Sequence, residues 1–152
     1  MYSPDIAHAK SRRLLTLELL VGPLAICRLP SDAAIPTWAS GGPLLAIVRT
    51  KGELSITCAE ELMPPTLDAS RDWRALALRG PFDHGLVGVL LEVAEPLARA
   101  KVSIMPIATY DTDYVLVRTM QLPLAVATLR AAGHTVLADA PLPGRTSVTS
   151  PL

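Results

Sequence analysis

The chain has 152 residues, and its 14 acidic and 14 basic side chains give a formal net charge of zero. This length suffices for one ordinary domain or two very small ones. Hydrophobic residues make up 50% of the chain and aromatic residues 4%, which predicts an aliphatic core. Because no basic block occurs and no aromatic residues alternate with arginine or lysine, the composition disfavours binding to nucleic acid.

The N-terminal segment has part of the pattern of an export signal. Arg12 and Arg13 precede an apolar run, but Glu18 lies within that run and Gly22-Pro23 breaks it. No small-residue cleavage pattern follows. No apolar run in the sequence reaches the length of a membrane span. We therefore predict a cytoplasmic protein without membrane attachment.

The first half of the chain contains short predicted strands separated by turns and loops. Apolar residues that alternate or follow one another predict strands over residues 14–20, 24–29, 44–49 and 54–58. Pro64-Pro65 ends this half and begins a linker that extends to residue 71. Cys27 and Cys58 are far apart and lack a C-x-x-C partner, which predicts two reduced thiols rather than a disulfide or a metal site.

The second half has a regular order of elements. Predicted strands cover residues 73–79, 102–109, 114–118 and 135–138. One helix is predicted to begin at Asp83, as its N-cap, and to end near Ala100. Another begins near Pro123 and ends at Gly133. The order strand, helix, strand, strand, helix, strand is that of the split βαβ, or ferredoxin-like, plan.

We therefore predict an α/β fold of the α+β sandwich type, built from two tandem ferredoxin-like units with antiparallel sheets. The first half reads as an abbreviated version of the same plan. The predicted units are residues 13–65, which form the abbreviated N-terminal unit, and residues 72–139, which form the C-terminal unit. Residues 140–152 are predicted to form a flexible tail.

The start of the predicted helix is one candidate site. Gly88 falls on the polar face of that helix, where glycine costs about 1 kcal/mol relative to alanine. Core packing does not explain that cost, whereas the close approach of a ligand to the backbone would. Unpaired N–H groups in a first helical turn suit a carboxylate. A plain N-cap at Asp83 without a ligand is the alternative.

The acidic turn between the two middle strands of this half is the other candidate. Asp111 and Asp113 could hold an ammonium or guanidinium group, or they could be exposed residues of an ordinary Asx turn. Two neighbouring carboxylates are also compatible with acid–base catalysis. No histidine stands with a serine or cysteine in a nucleophile motif, however, and this disfavours catalysis.

Several segments together resemble the ACT-domain family, and more narrowly its paired-ACT group, which includes the CASTOR arginine sensors and small bacterial relatives. The matching segments include P-L-A-I-C-R-L-P (23–30), R-T-K-G-E-L-S-I-T-C (49–58) and T-Y-D-T-D-Y-V-L-V (109–117). The resemblance covers most of residues 14–134. It departs from the family at His84-Gly85, where an aromatic residue followed by serine is expected, and at Met105-Pro106, where an aromatic residue is usual.

The resemblance implies two ACT-like units that bind a free amino acid between them, with a basic amino acid weakly favoured. ACT domains regulate rather than catalyse, so the resemblance implies a regulatory protein that is not an enzyme and that acts on a protein partner, and it leaves a homodimer open. We predict no cofactor and no metal. The ligand-binding residues that it implies are Ser55 and Ile56 of the first unit and Gly88, Val89, Thr109, Tyr110, Asp111 and Asp113 of the second. Among these, Asp113 would recognise a cationic group.

Two other interpretations stay open. In the first, the protein is an ACT module that binds no ligand and serves for oligomerisation or for docking on a partner enzyme. In the second, which only the acidic turn supports, it is a small hydrolase or transferase.

Overall fold

The structure is a computed structural model that describes residues 12–138. Its strands are β1 (Thr16–Leu19), β2 (Leu24–Leu29), β3 (Ala46–Arg49), β4 (Leu54–Ala59), β5 (Ala69–Leu78), β6 (Ile104–Ala108), β7 (Asp113–Arg118) and β8 (Thr135–Leu137). Its helices are α1 (Val89–Arg99) and α2 (Leu122–Ala131). The predicted ferredoxin-like α+β fold class is confirmed. The predicted tail at 140–152 lies outside the described residues.

All eight strands form one continuous sheet, with β5 at its centre. One edge of β5 pairs with β2 near Ala69 and with β1 near Leu78, so β1 and β2 follow one another along it. The other edge pairs with β7, which in turn pairs with β6. These pairs are antiparallel, as predicted. The exception is the pair of β1 with β8, which is parallel.

Strand β1 lies between β5 and β8, inside the sheet of the second unit. The predicted boundaries of 13–65 and 72–139 place β1 in the first unit instead. Leu15 and Leu17 explain the observed position, because they pack in the same core as the two helices. We therefore propose that the second unit comprises β1 together with residues 72–138.

Three aliphatic clusters make up the core. The largest lies between the helices and one face of the sheet, where Leu17, Leu76 and Val115 meet Val93 and Leu97 of α1. A second cluster, which includes Ala75 and Leu116, lies on the opposite face. A third fills the first unit. Neither α1 nor α2 contributes a residue to the second cluster, so neither helix covers that face of the sheet in the second unit.

The two cysteines belong to the third cluster. Cys27 and Cys58 are buried free thiols, as predicted. Burial raises the pKa of both thiols above the ordinary value. They are therefore protonated at neutral pH, and this disfavours thiolate chemistry.

No helix of residues 12–138 is both long enough and apolar enough to span a membrane.

Candidate functional site

The turn between β6 and β7 is fixed by its own threonines. Thr109 N donates a hydrogen bond of 2.8 Å to Thr112 O, and Thr109 Oγ1 donates one of 2.9 Å to the same oxygen. Thr112 Oγ1 donates a bond of 2.6 Å to Leu78 O at the end of β5. These bonds hold the two candidate aspartates, Asp111 and Asp113, in a defined position beside β5.

The loop after β5 packs directly on this turn. Phe82 N donates to Asp111 O at 2.8 Å, and His84 Nε2 donates to Tyr110 O at 2.7 Å. The rings of His84 and Tyr110 meet edge to face, with centroids 4.6 Å apart. Gly80 allows this contact, because a Cβ there would lie 2.9 Å from Asp111 O. The loop of residues 80–88 and the turn of residues 109–113 therefore form one assembly.

The predicted start of the first helix is wrong. Helix α1 begins at Val89, and residues 83–88 precede it as a loop. Asp83 caps no helix: its Oδ1 accepts a hydrogen bond of 2.8 Å from Gly85 N. Such local side-chain bonds to the backbone compete with helix formation. Gly88 is the residue immediately before the helix and has a φ of 84°, a left-handed conformation.

Gly88→Ala is expected to lower the free energy of unfolding by about 1–2 kcal/mol, the cost of placing an L-residue in the left-handed region. The direction is opposite to that expected for a mid-helix glycine. Nothing lies within 4 Å of the added Cβ, so backbone strain is the only cause. Urea denaturation measures the change. Gly52→Ala is the control, since Gly52 is not in the left-handed region and its added Cβ makes only ordinary van der Waals contacts. Equal stability of the two variants would contradict the prediction.

The loop and the turn line an open cavity of about 170 Å³, which we call the loop–turn cavity. It is lined by Phe82, Asp83, His84, Leu86, Val89 and residues 109–113. Five predicted ligand-binding residues thus come together: Val89, Thr109, Tyr110, Asp111 and Asp113. Gly88 adjoins Val89 at the edge of the cavity. Phe82, His84 and Leu86 were not among the predicted ligand-binding residues. Gly80-Pro81, which follows a predicted strand, indicates a loop and could have pointed to them.

Carboxylates and the N-terminal end of a helix both border the loop–turn cavity. Asp83, Asp111 and Asp113 provide carboxylates, and none of them forms an ion pair with a residue in 12–138. Helix α1 begins at Val89, which lines the cavity. The backbone N–H groups of a first helical turn have no partner within the helix and carry partial positive charge. The cavity can therefore receive a cationic group near the turn and an anionic group near the helix.

The two predicted residues of the first unit lie elsewhere. Ser55 lines a separate cavity of about 300 Å³ together with Arg28 and Glu53. Ile56 is fully buried in the core of the first unit. Strand β4 pairs with β2, and β2 pairs with the start of β5. The turn of residues 109–113 lies at the far end of β5, and strand geometry puts the two ends of β5 roughly 30 Å apart. A single chain therefore does not bring Ser55 to the loop–turn cavity.

Within the described part of the chain, no group of three or more histidine, cysteine, aspartate or glutamate side chains is arranged to hold a metal ion.

Two family models match the chain. An ACT-domain model matches residues 68–131, and a model of an N-terminal domain matches residues 22–66. A search of the curated proteins finds no match.

Solved structures provide further similarity. The protein Atu0741 from Agrobacterium tumefaciens is 34% identical over 85% of this chain and 96% of its own, with a TM-score of 0.80. VC0802 from Vibrio cholerae, of unknown function and a possible transport protein, is 22% identical over 78% of this chain and 89% of its own, with a TM-score of 0.64. Clostridium acetobutylicum aspartate kinase, an allosteric enzyme, is 10% identical over 82% of this chain and 36% of its own, with a TM-score of 0.57. The last two similarities concern the fold alone.

Proposed function

Since the chain belongs to the ACT-domain family, we propose that it is a regulatory protein that binds a free amino acid in the loop–turn cavity. The observation that carries the proposal is the presence of carboxylates and of helix N-terminal N–H groups around one small cavity. A zwitterion needs both. Its ammonium group would pair with a carboxylate of the turn, and its carboxylate would accept hydrogen bonds from the start of α1.

Asp113 is the residue that we assign to a cationic group. It begins β7, is half-buried, and lines the cavity. Arg118 is on the same strand but at odd spacing, so the two side chains point to opposite faces. A carboxylate in this partly desolvated position favours a cationic partner. The resemblance to the arginine sensors favours a basic amino acid, whose second cation could reach Asp111 or Asp83.

A thermal-shift screen against the twenty amino acids tests the proposal. An amino acid that binds the folded state alone raises the melting temperature by mass action, and the shift grows with its concentration. A concentration-dependent shift with one amino acid, or with one chemically related group of them, is the expected result. No shift with any amino acid would contradict the proposal.

Asp113→Asn is expected to weaken binding of the amino acid found in that screen by about 1.5–3 kcal/mol, the contribution of a hydrogen bond to a charged group. The substitution keeps the shape of the side chain and removes its charge. Isothermal calorimetry measures the affinity. Asp32→Asn, which changes an exposed aspartate outside the cavity, is the matched control. Unchanged affinity in Asp113→Asn would remove Asp113 from the site.

Ser55 and Ile56 enter the proposal through a second copy of the chain. We propose a homodimer in which the first unit of one copy covers the loop–turn cavity of the other. Apolar side chains around that cavity support a covering partner: Val87 is 88% exposed and Tyr110 82%. In that arrangement Ser55 could offer its hydroxyl group to the ligand, and buried Ile56 could offer only its backbone.

The same exposed residues support a second candidate function, which is oligomerisation or docking on a partner enzyme without a ligand. Analytical ultracentrifugation together with the thermal-shift screen distinguishes the two. Self-association without any amino-acid effect would favour the docking module.

Further parts of the proposal are a cytoplasmic location, a regulatory rather than catalytic role, and a protein partner that receives the signal.

A further inference from the structure

The tip of the acidic turn is attached to the rest of the fold by a single residue. Beside the tip, Asp111 O accepts a hydrogen bond from Phe82 N, and Thr112 Oγ1 donates one to the end of β5. Tyr110 stands at the tip and is 82% exposed. Within residues 12–138 it takes part in one hydrogen bond, which its carbonyl oxygen accepts from His84 Nε2 at 2.7 Å. His84 is therefore the residue that holds the tip.

A short turn fixes the backbone of His84. Leu86 N donates a hydrogen bond of 2.9 Å to Asp83 O, and Gly85 N donates one of 2.8 Å to Asp83 Oδ1. These two bonds close the turn of residues 83–86, in which His84 is the second residue. The imidazole ring is thus presented from a backbone that is already ordered.

The contact between His84 and Tyr110 has two parts, and one imidazole ring makes both. Nε2 carries the proton of the hydrogen bond, since a carbonyl oxygen can only accept. The edge-to-face approach of the two rings, with planes at 74° and centroids 4.6 Å apart, is a favoured arrangement of aromatic groups. The hydrogen bond fixes the backbone of Tyr110, and the ring contact restricts its side chain.

The position of the tip matters for the loop–turn cavity. Tyr110, Asp111 and His84 line this cavity together with Val89 at the start of α1. If the tip were free, a bound molecule would have to order it, and the lost conformational entropy would lower the affinity. A tip that is ordered in advance removes this cost.

We propose that His84 is a positioning residue of the amino-acid site, which holds the tip of the acidic turn through the hydrogen bond from its Nε2 to Tyr110 O and so preorganises the cavity. The inference rests on the proposed function, because the amino-acid site is the one that His84 positions. In this role His84 acts through Tyr110 and needs no contact of its own with the ligand.

The first test is made on the full chain without an amino acid. NMR relaxation of the backbone amides measures their order on the picosecond to nanosecond timescale. The order parameter of the Tyr110 amide is expected to be about 0.85 in the wild type and below about 0.6 in His84→Ala. Thr112 has its own bond to β5 and is expected to stay rigid in both. An equally ordered Tyr110 in His84→Ala, or a flexible Tyr110 in the wild type, overturns the proposal.

Three further variants separate the parts of the contact. His84→Gln keeps an N–H donor near the position of Nε2, so it is expected to restore most of the order at Tyr110. His84→Phe keeps a ring but no donor and is expected to restore less. Tyr110→Phe is the matched control, because it removes only a hydroxyl group that forms no hydrogen bond in residues 12–138. Greater order in His84→Phe than in His84→Gln would show that ring packing alone holds the tip, and this overturns the proposal.

The second test is binding, measured by calorimetry. The probe is L-arginine, or the amino acid with the largest shift in the thermal screen if the wild-type chain does not bind L-arginine. His84→Ala is expected to bind at least about threefold more weakly, whereas His84→Gln and Tyr110→Phe are expected to stay within about twofold of the wild type. Lost order at Tyr110 with unchanged affinity in His84→Ala overturns this proposal and leaves the proposed function intact.

Melting curves establish that each variant is folded, as the exposed position of His84 leads us to expect. If His84→Ala does not fold, His84 serves stability instead, and the proposal is overturned. If no amino acid binds the wild-type chain, the proposed function fails and His84 has no site to position. The two failures are distinguishable, because only the failure of the proposed function abolishes binding to the wild-type chain.

Discussion

Leu17→Ala is expected to lower the free energy of unfolding by about 2–5 kcal/mol, the range for large-to-small substitutions in a packed core. Leu17 is fully buried and pairs with Leu78 of β5 and Val136 of β8. Its side chain packs in the cluster beneath the two helices. The substitution therefore leaves a cavity in the middle of the second unit, although residue 17 precedes the whole first unit in the sequence.

Urea denaturation measures this loss. Leu14→Ala is the matched control, because Leu14 is 64% exposed and its truncation is expected to change stability by no more than about 0.5 kcal/mol. Hydrogen exchange adds a local test: the amides of β8 are expected to lose protection more than those of β3 and β4. A similar loss in both leucine variants, or faster exchange confined to the first unit, would contradict the position of β1.

His134→Phe is the second prediction with a large effect. His134 is buried, its Nδ1 accepts a hydrogen bond of 3.1 Å from Leu15 N, and its Nε2 donates one of 3.0 Å to Glu92 O. Glu92 needs that donor, because the residue four positions later in α1 is Pro96, which has no N–H group. One imidazole ring therefore connects the residue before β1 with a carbonyl that its own helix leaves unpaired.

Phenylalanine fills a similar volume but leaves both backbone groups without a partner. The expected loss is about 2–4 kcal/mol, since each buried unpaired polar group costs about 1–3 kcal/mol. Chemical denaturation gives the value. Restoring an N–H group at position 96 adds a second test. Pro96→Ala is expected to be about 1 kcal/mol less harmful in the His134→Phe background than in the wild type. Absence of this coupling would contradict the role of Glu92.

The sequence predicted local features of the fold well. The order of elements from Trp73 onward and the turn at Asp111 follow from period-two and helical patterns and from turn-forming residues, all of which act over a few positions. The place of β1 could not be predicted in the same way. The alternation of Leu15, Leu17 and Leu19 indicates a strand but not its neighbours. Those neighbours are β5 and β8, which lie far along the chain.

The candidate site was predicted in part for a similar reason. Tyr110, Asp111 and Asp113 are on one short turn, so their proximity is a local property. The helix start was misplaced because Asp83 binds Gly85 N within the loop, a competition that helix periodicity does not reveal. Ser55 was assigned by resemblance alone, and β4 lies at the other end of β5.

The insertion of β1 also constrains the order in which the chain can fold. During synthesis β1 leaves the ribosome before the other strands of residues 12–138, whereas His134, which accepts the hydrogen bond from Leu15 N, follows 119 residues after Leu15. The first unit can form its hairpins as they emerge, whereas the part of the sheet that belongs to the second unit stays incomplete until β8 is made. The chain must lose the conformational entropy of closing this long loop before the contacts of β1 can stabilise the fold, and this slows folding. The edge of β5 that later receives β1 is meanwhile exposed, so aggregation of nascent chains would begin there.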